Sequence, residues 1–155
     1  MTEAIHPYRA VSPETTITVA NLEPGVLGWW DGDVEPAGEI VVSKASTQAE
    51  RRCTVRHEWR HAQRGDRIAR ADEWPDPALL EIKDDNIVRR ETARDMITLD
   101  ALADALSWSQ DETEVAEDLW VDVATLRDRL RTLTRAESNE LERLWREREA
   151  VLPWE

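Results

Sequence analysis

Residues 47–63, TQAERRCTVRHEWRHAQ, decide how the rest of the chain is interpreted. Thr47 followed by Glu50 fits a capping box, in which the threonine side chain accepts from one free amide at a helix start and the glutamate accepts from another. A helix is therefore predicted from this point to about Gln63. Gly65 is expected to end it, because glycine adopts the backbone conformation that closes most helices.

Inside this predicted helix, residues 57–61 read HEWRH, an H-E-x-x-H pattern that holds two of the three histidines of the chain. Residues four apart on a helix lie on nearly the same face, so the imidazoles of His57 and His61 can bind one metal ion. Glu58 is rotated by about 100° from His57, which puts its carboxylate beside the metal. Zinc lowers the pKa of a bound water to about 7, and a neighbouring carboxylate can take its proton. The pattern predicts a catalytic Zn2+ site with Glu58 as general base.

Two histidines and a water leave such a site one protein ligand short. No histidine follows His61, so a third imidazole would require His6 to fold back, and a carboxylate is expected instead. The candidates on the next predicted helix are Glu81, Asp84, Asp85, Glu91 and Asp95. Glu91 has the more apolar helical setting, whereas Asp84 and Asp85 lie in a polar cluster. Position alone leaves the choice open.

The segments around this helix predict the fold class. Short runs of β-branched and aromatic residues predict strands at residues 16–20, 26–30 and 39–43. Asp76 and Pro77 predict the start of a helix that runs to about Met96. Later helices are predicted after Thr98, Asp111 and Thr134, the last of which forms a second capping box with Glu137. The sequence therefore predicts an α+β fold: a small antiparallel sheet of two or three strands followed by five or six helices.

Length and composition limit the class of protein. The 155 residues carry a formal net charge of −13 and fit a single domain, in which residues 15–98 form the sheet and the zinc-site helices and residues 99–155 a C-terminal helical part. Cys53 is the only cysteine, which excludes an intrachain disulfide and a cysteine-rich zinc ribbon. The sequence has neither an apolar run of about 18 residues nor a signal-peptide pattern, so we expect a cytoplasmic protein without a membrane partner.

The arginines of the HEWRH helix form a regular stripe. Arg52, Arg56, Arg60 and Arg64 recur every four residues and are expected to form a solvated face. The alternative is that they attract an acidic substrate or pair with the acids of the chain. Cys53 is expected in the core, one turn before His57.

Several stretches together resemble a known family. They are residues 28–30 (GWW), 39–42 (EIVV), the HEWRH helix and residues 90–94 (RETAR). Over about residues 25–133 they resemble the ImmA/IrrE family of small zinc metallopeptidases found in phages and other mobile elements. The resemblance implies a minimal zincin-like fold, the zinc ligands His57, His61 and Glu91, and Glu58 as the general base.

Asp95 lies one turn beyond Glu91. A glutamate ligand followed four residues later by an aspartate resembles the gluzincin pattern, in which the aspartate holds a ligating imidazole through its other nitrogen. Asp95 is therefore a candidate for holding one of the ligating histidines in this way, and a simple surface acid is the alternative. His6 and Tyr8 could stabilise an oxyanion, but nothing in the sequence places them near the metal.

The leading hypothesis for function is a zinc-dependent endopeptidase whose protein substrate is a repressor or another regulator of a phage or mobile element, a substrate class that the resemblance implies. The alternative is a non-catalytic anti-repressor that binds and sequesters a regulator. A third reading takes residues 114–131 as a DNA-binding helix-turn-helix. Residues 99–155 have a net charge of −8, which opposes docking on phosphate although Arg127, Arg129 and Arg131 cluster there, so direct nucleic-acid binding is not expected.

Overall fold

A three-stranded sheet followed by a set of helices makes up the computed structural model, which describes residues 3–68 and 77–151. The elements in chain order are α1 Pro7–Ala10, β1 Thr16–Ala20, β2 Gly28–Asp31, β3 Glu39–Ser43, α2 Gln48–Ile68, α3 Pro77–Met96, α4 Leu99–Trp108, α5 Glu112–Asp118, α6 Val123–Arg131 and α7 Arg135–Val151. The predicted α+β class is confirmed. The short α1 is an additional helix that the sequence analysis did not predict.

The sheet has the order β1-β3-β2, and its strands run in mixed directions. β2 pairs with β3 antiparallel, as predicted, whereas β1 pairs with β3 parallel, so the prediction of a purely antiparallel sheet is wrong. In the central strand Ile40, Val41 and Val42 are buried on both faces, a pattern typical of a strand that has a parallel neighbour. β2 pairs with one edge of β3, and β1 pairs with the other.

Side-chain caps begin the helices where the sequence predicts them. The Thr47 hydroxyl accepts from the Glu50 amide at 3.1 Å, and Thr98 caps α4 in the same way. The capping box at α7 is reciprocal, because Thr134 and Glu137 each accept from the amide of the other. α3 begins at Pro77, while its predicted cap Asp76 lies outside the described residues.

Helix α2 continues past Gly65 to Ile68, so the predicted stop at Gly65 is wrong. A glycine inside a helix costs only about 0.5–1 kcal/mol relative to alanine. Packing against α3 can offset that cost, because Arg64, one residue earlier, binds Asp84 of α3 with a separation of 2.6 Å.

Helix α2 lies between two hydrophobic clusters. One joins the C-terminal helices and includes Cys53, which is 3% exposed, so its predicted core position is confirmed. The other packs the sheet against α2 through Val55, and Trp30 and Trp59 meet there edge to face. Within the described part of the chain, none of the helices is long and apolar enough to cross a membrane.

Three of the four arginines in the stripe of α2 face α3 and not solvent, which corrects the expectation of a solvated face, while Arg52 contacts Trp120. Arg56 is 5% exposed and binds Asp95 at 2.7 Å. Arg60 binds Asp95 and Glu91, and Arg64 binds Asp84. As the residue number rises along α2, the partner's number falls along α3, so the two helices are antiparallel. The acids of α3 therefore fix the register of the two helices through this ladder of ion pairs.

Replacing Asp95 with alanine is expected to destabilise the fold by about 3–5 kcal/mol, because the buried Arg56 would lose its carboxylate partner. Urea unfolding followed by circular dichroism measures the change. The control is Glu140→Ala, whose partner Arg143 is exposed, and the unfolding midpoint of this variant should stay unchanged. A loss of less than about 1 kcal/mol for Asp95→Ala would show that the ladder contributes no more than a surface pair.

Candidate metal centre

The imidazoles of His57 and His61, one turn apart on α2, meet the Asp85 carboxylate of α3. The Nε2 atom of His57 lies 3.1 Å from Nε2 of His61 and 3.1 Å from Oδ1 of Asp85. The Nε2 atom of His61 lies 3.3 Å from the same carboxylate oxygen. These three atoms form the one potential metal-binding group found among the described residues.

The positions available for protons on the two imidazoles favour a cation at the centre of this cluster. His61 Nδ1 lies 3.2 Å from Asp84 Oδ2, and a carboxylate only accepts, so the proton of neutral His61 belongs on Nδ1 and its Nε2 carries a lone pair. A single proton on His57 Nε2 can serve only one of its two neighbours. The contact between His61 Nε2 and Asp85 Oδ1 then joins two acceptors without a proton, which a metal ion would resolve for all three atoms at once.

The spacing of the three atoms also fits a metal. In a tetrahedral zinc site with bonds of about 2.0–2.1 Å, neighbouring ligand atoms are about 3.3–3.4 Å apart. The observed separations of 3.1–3.3 Å come close to that edge length. Two imidazoles and one carboxylate are a ligand set that catalytic zinc sites use, and they leave a fourth position for another ligand.

Asp84 contacts the nitrogen of His61 that points away from His57 and Asp85. Its carboxylate is 5% exposed, and Arg64 binds its second oxygen at 2.6 Å. A buried acid that accepts from the outer nitrogen of a ligating imidazole fixes the ring orientation and raises its basicity. Asp95, the candidate for this role from the sequence, binds Arg56 and Arg60 instead.

The structure does not bring Glu91 to the histidines. Its carboxylate lies 3.3 Å from Arg60 Nη1 and 4.0 Å from Arg64 Nη1. Six residues of helix separate Asp85 from Glu91, a distance of about 9 Å along the axis, so the two acids serve different neighbours. Glu91 as third ligand stays a prediction, while the geometry favours Asp85, one of the acids that the sequence analysis left open.

Glu58 lies beside the histidines, on the side of α2 that faces the sheet. Burial raises the pKa of its carboxyl, His61 opposes this effect, Asp85 adds to it, and a hydrogen bond from the Trp30 backbone amide opposes it. Burial lowers the pKa of His57, and the neighbouring His61 lowers it further. The lowered pKa of His57, which Asp85 opposes, favours the neutral form that binds metals, and the raised pKa of Glu58 suits a proton acceptor.

A groove of about 390 Å³ opens beside His57 and Glu58. One wall is the start of β2 and the loop before it, and the others come from α2, α3 and α6. The Leu27 carbonyl accepts from Ser43 of β3, so by strand alternation the backbone groups of Gly28 and Trp30 point away from β3. The free edge of β2 therefore borders the groove.

Arg89 is a cationic residue of the groove that the sequence analysis did not single out. It lines the groove near His57, and its Nε lies 3.2 Å from Asp128, an acid that Arg131 also binds. His6 and Tyr8, the residues available from sequence for oxyanion stabilisation, contact each other and are not among the residues that line the groove. Arg89 lies four residues after Asp85, so the two residues share one face of α3. This spacing is the sequence signal that could have indicated Arg89 as a residue near the site.

The arginines of α6 bind acids of the chain itself. Arg127 pairs with Glu112, Arg129 pairs with Glu137, and Arg131 pairs with Asp128. Val115 and Leu126 of α5 and α6 are buried in the larger hydrophobic cluster. These contacts favour a packing role for residues 114–131.

Comparison with known proteins adds no further information about the site. No protein-family model, curated protein or solved structure matches the chain.

Proposed function

We propose that the chain is a zinc-dependent endopeptidase. The observation that carries the proposal is the convergence of His57 Nε2, His61 Nε2 and Asp85 Oδ1 within 3.1–3.3 Å of one another, next to the half-buried Glu58. These three residues would hold the metal, and Asp84 would orient His61.

A bound zinc ion supplies Lewis acidity for the attack of water on a peptide carbonyl. The chain supplies the proton transfer. Glu58 carries a pKa raised by burial, so its carboxylate can accept a proton at neutral pH and return it to the departing amine. Trp30, whose backbone opposes the rise in the Glu58 pKa, would help to orient this carboxylate beside the groove.

The substrate would lie as an extended strand along the free edge of β2. Main-chain hydrogen bonds to an exposed sheet edge are a common way to hold a peptide, and the outward backbone groups of Gly28 provide them here. This edge borders the groove that His57 and Glu58 line, so a strand paired with it would pass one of the proposed metal ligands and the proposed base.

The substrate class rests on the resemblance to the ImmA/IrrE family, which supports a repressor or another regulator of a phage or mobile element as the protein substrate and cytoplasm as its location. The rival function, sequestration of such a regulator without cleavage, also predicts a protein partner. Cleavage separates the two functions.

The test is zinc-dependent cleavage of a peptide library that covers many sequences. Incubating the protein and one equivalent of zinc with a peptide library from a whole-cell digest is expected to produce new peptide termini, counted by mass spectrometry. Chelation should abolish these termini and added zinc should restore them, because the proposed site has protein ligands that are free to rebind metal. A zinc-loaded protein that produces no termini above the chelated sample would contradict the proposal and favour sequestration.

A further inference from the structure

Trp120 has a backbone conformation that is unusual for a bulky residue. It lies directly after the C-cap of α5 with φ 58°, in the left-handed region. The Trp120 amide donates to the Glu117 carbonyl and the Val121 amide donates to the Ala116 carbonyl, each at 3.1 Å. These two bonds form a Schellman motif, in which the position of Trp120 is usually occupied by glycine.

The side chain at this strained position is exposed and held in place. The indole is 59% exposed, and the Arg52 guanidinium lies 5.0 Å from its ring centroid. Arg52 also donates from Nε to the Trp120 carbonyl at 3.3 Å. An exposed tryptophan where glycine would relieve strain, fixed by a cation, indicates a surface that binds something.

Residues next to the Arg52–Trp120 contact line one end of the groove that contains Glu58, whereas Trp120 itself is not among the lining residues. Cys53, next to Arg52, and Asp122, two residues after Trp120, both line that groove. The wall formed by the loop before β2 carries Val26 and Leu27, which are about 40% exposed. The end of the groove away from the metal ligands is therefore bordered by apolar side chains.

The spacing along α2 sets a register for a bound peptide. Cys53 precedes His57 by four residues, which is about 6 Å along the helix axis. An extended peptide rises by about 3.3 Å per residue, so about two residues span this distance.

We propose that Trp120 recognises an aliphatic or aromatic side chain of the substrate, about two residues from the bond that is cut. The occupant is an extended segment of a protein paired with the free edge of β2, which is continuous with this end of the groove. This inference rests on the proposed function, because it assumes that the groove binds a peptide substrate. Tryptophan suits this role because its flat ring offers a large contact area at little entropic cost.

The experiment measures binding without cleavage. The Glu58→Gln protein with one equivalent of zinc is titrated against a fluorescent positional-scanning decapeptide library, alone and with Trp120→Gly added. We expect the parent to favour Phe, Trp or Leu at one position, and Trp120→Gly to lose about 10-fold or more in affinity for those peptides. The matched control is Trp108→Ala, since Trp108 is 75% exposed on α4, a helix that contributes no residue to the groove; its affinities should stay unchanged.

Thermal unfolding separates recognition from folding. Trp120→Gly is expected to keep its Tm or raise it by about 2–4 °C, because glycine relieves the left-handed strain. No preference of the parent for apolar peptides, unchanged affinity in Trp120→Gly, or an equal loss in Trp108→Ala would each overturn the proposal. Because the parent carries Glu58→Gln, these outcomes do not depend on whether the wild-type protein cleaves peptides, so the two proposals fail separately.

Discussion

Replacing Glu58 with glutamine is expected to lower kcat/KM for a cleaved peptide by about 10²–10⁴-fold, the usual contribution of a positioned general base. The amide has nearly the shape of the carboxylate but cannot take up the proton that the reaction releases. A peptide identified from the library serves as substrate, and cleavage is followed by chromatography. The zinc content and the circular dichroism spectrum should match those of the wild type, since Glu58 lies beside the metal-binding group and is not part of it.

Glu50→Gln is the matched control for this variant. Glu50 lies two turns earlier on α2, near the helix start, and is not among the residues that line the groove. Its kcat/KM should equal that of the wild type. If Glu58→Gln kept full activity, the proposed proton transfer would be excluded even though the metal site could still exist.

Replacing Asp85 with alanine is expected to lower zinc affinity by about 100-fold or more, because loss of a ligand should exceed the 10–100-fold effect typical of residues that only support ligands. Glu91→Ala should change the affinity by less than about threefold, since its carboxylate binds Arg60 and Arg64 and not the histidines. Competition with a chromophoric chelator measures both values at one pH.

The pair of variants decides between the ligand implied by resemblance and the ligand favoured by geometry. A large loss for Glu91→Ala with little change for Asp85→Ala would restore the assignment of His57, His61 and Glu91. A large loss for His57→Ala, expected in either case, confirms that the assay reports on this site. Equal affinities in all three variants would place the zinc elsewhere in the protein.

Local chemistry made much of the fold predictable from the sequence. Capping residues such as Thr98 and Asp111 act within three residues of themselves, so the starts of α4 and α5 could be predicted and are confirmed. Strand direction could not be predicted, because the pattern of β1 is the same whether it pairs parallel or antiparallel with β3. The helix end predicted at Gly65 is wrong because contacts between α2 and α3 outweigh the local tendency of glycine to end a helix.

The part of the candidate site that lies on one helix was also predictable from the sequence, and the part on the second helix was not. His57, Glu58 and His61 are set by the period of one helix, and the structure brings them together. The acid from the second helix depends on how α2 and α3 slide and rotate against each other, because Asp85 and Glu91 lie about 9 Å apart and on different faces of α3. The ladder from Arg56 to Arg64 sets that register, and sequence patterns do not show which acid each arginine will meet.

The most direct test of the metal centre is a crystal structure of the zinc-loaded protein with data collected at the zinc absorption edge. We predict one strong anomalous peak about 2.0–2.2 Å from His57 Nε2, His61 Nε2 and the Asp85 carboxylate. A peak coordinated by Glu91 in place of Asp85 would correct the ligand set. The absence of any peak between the two histidines would contradict the central claim.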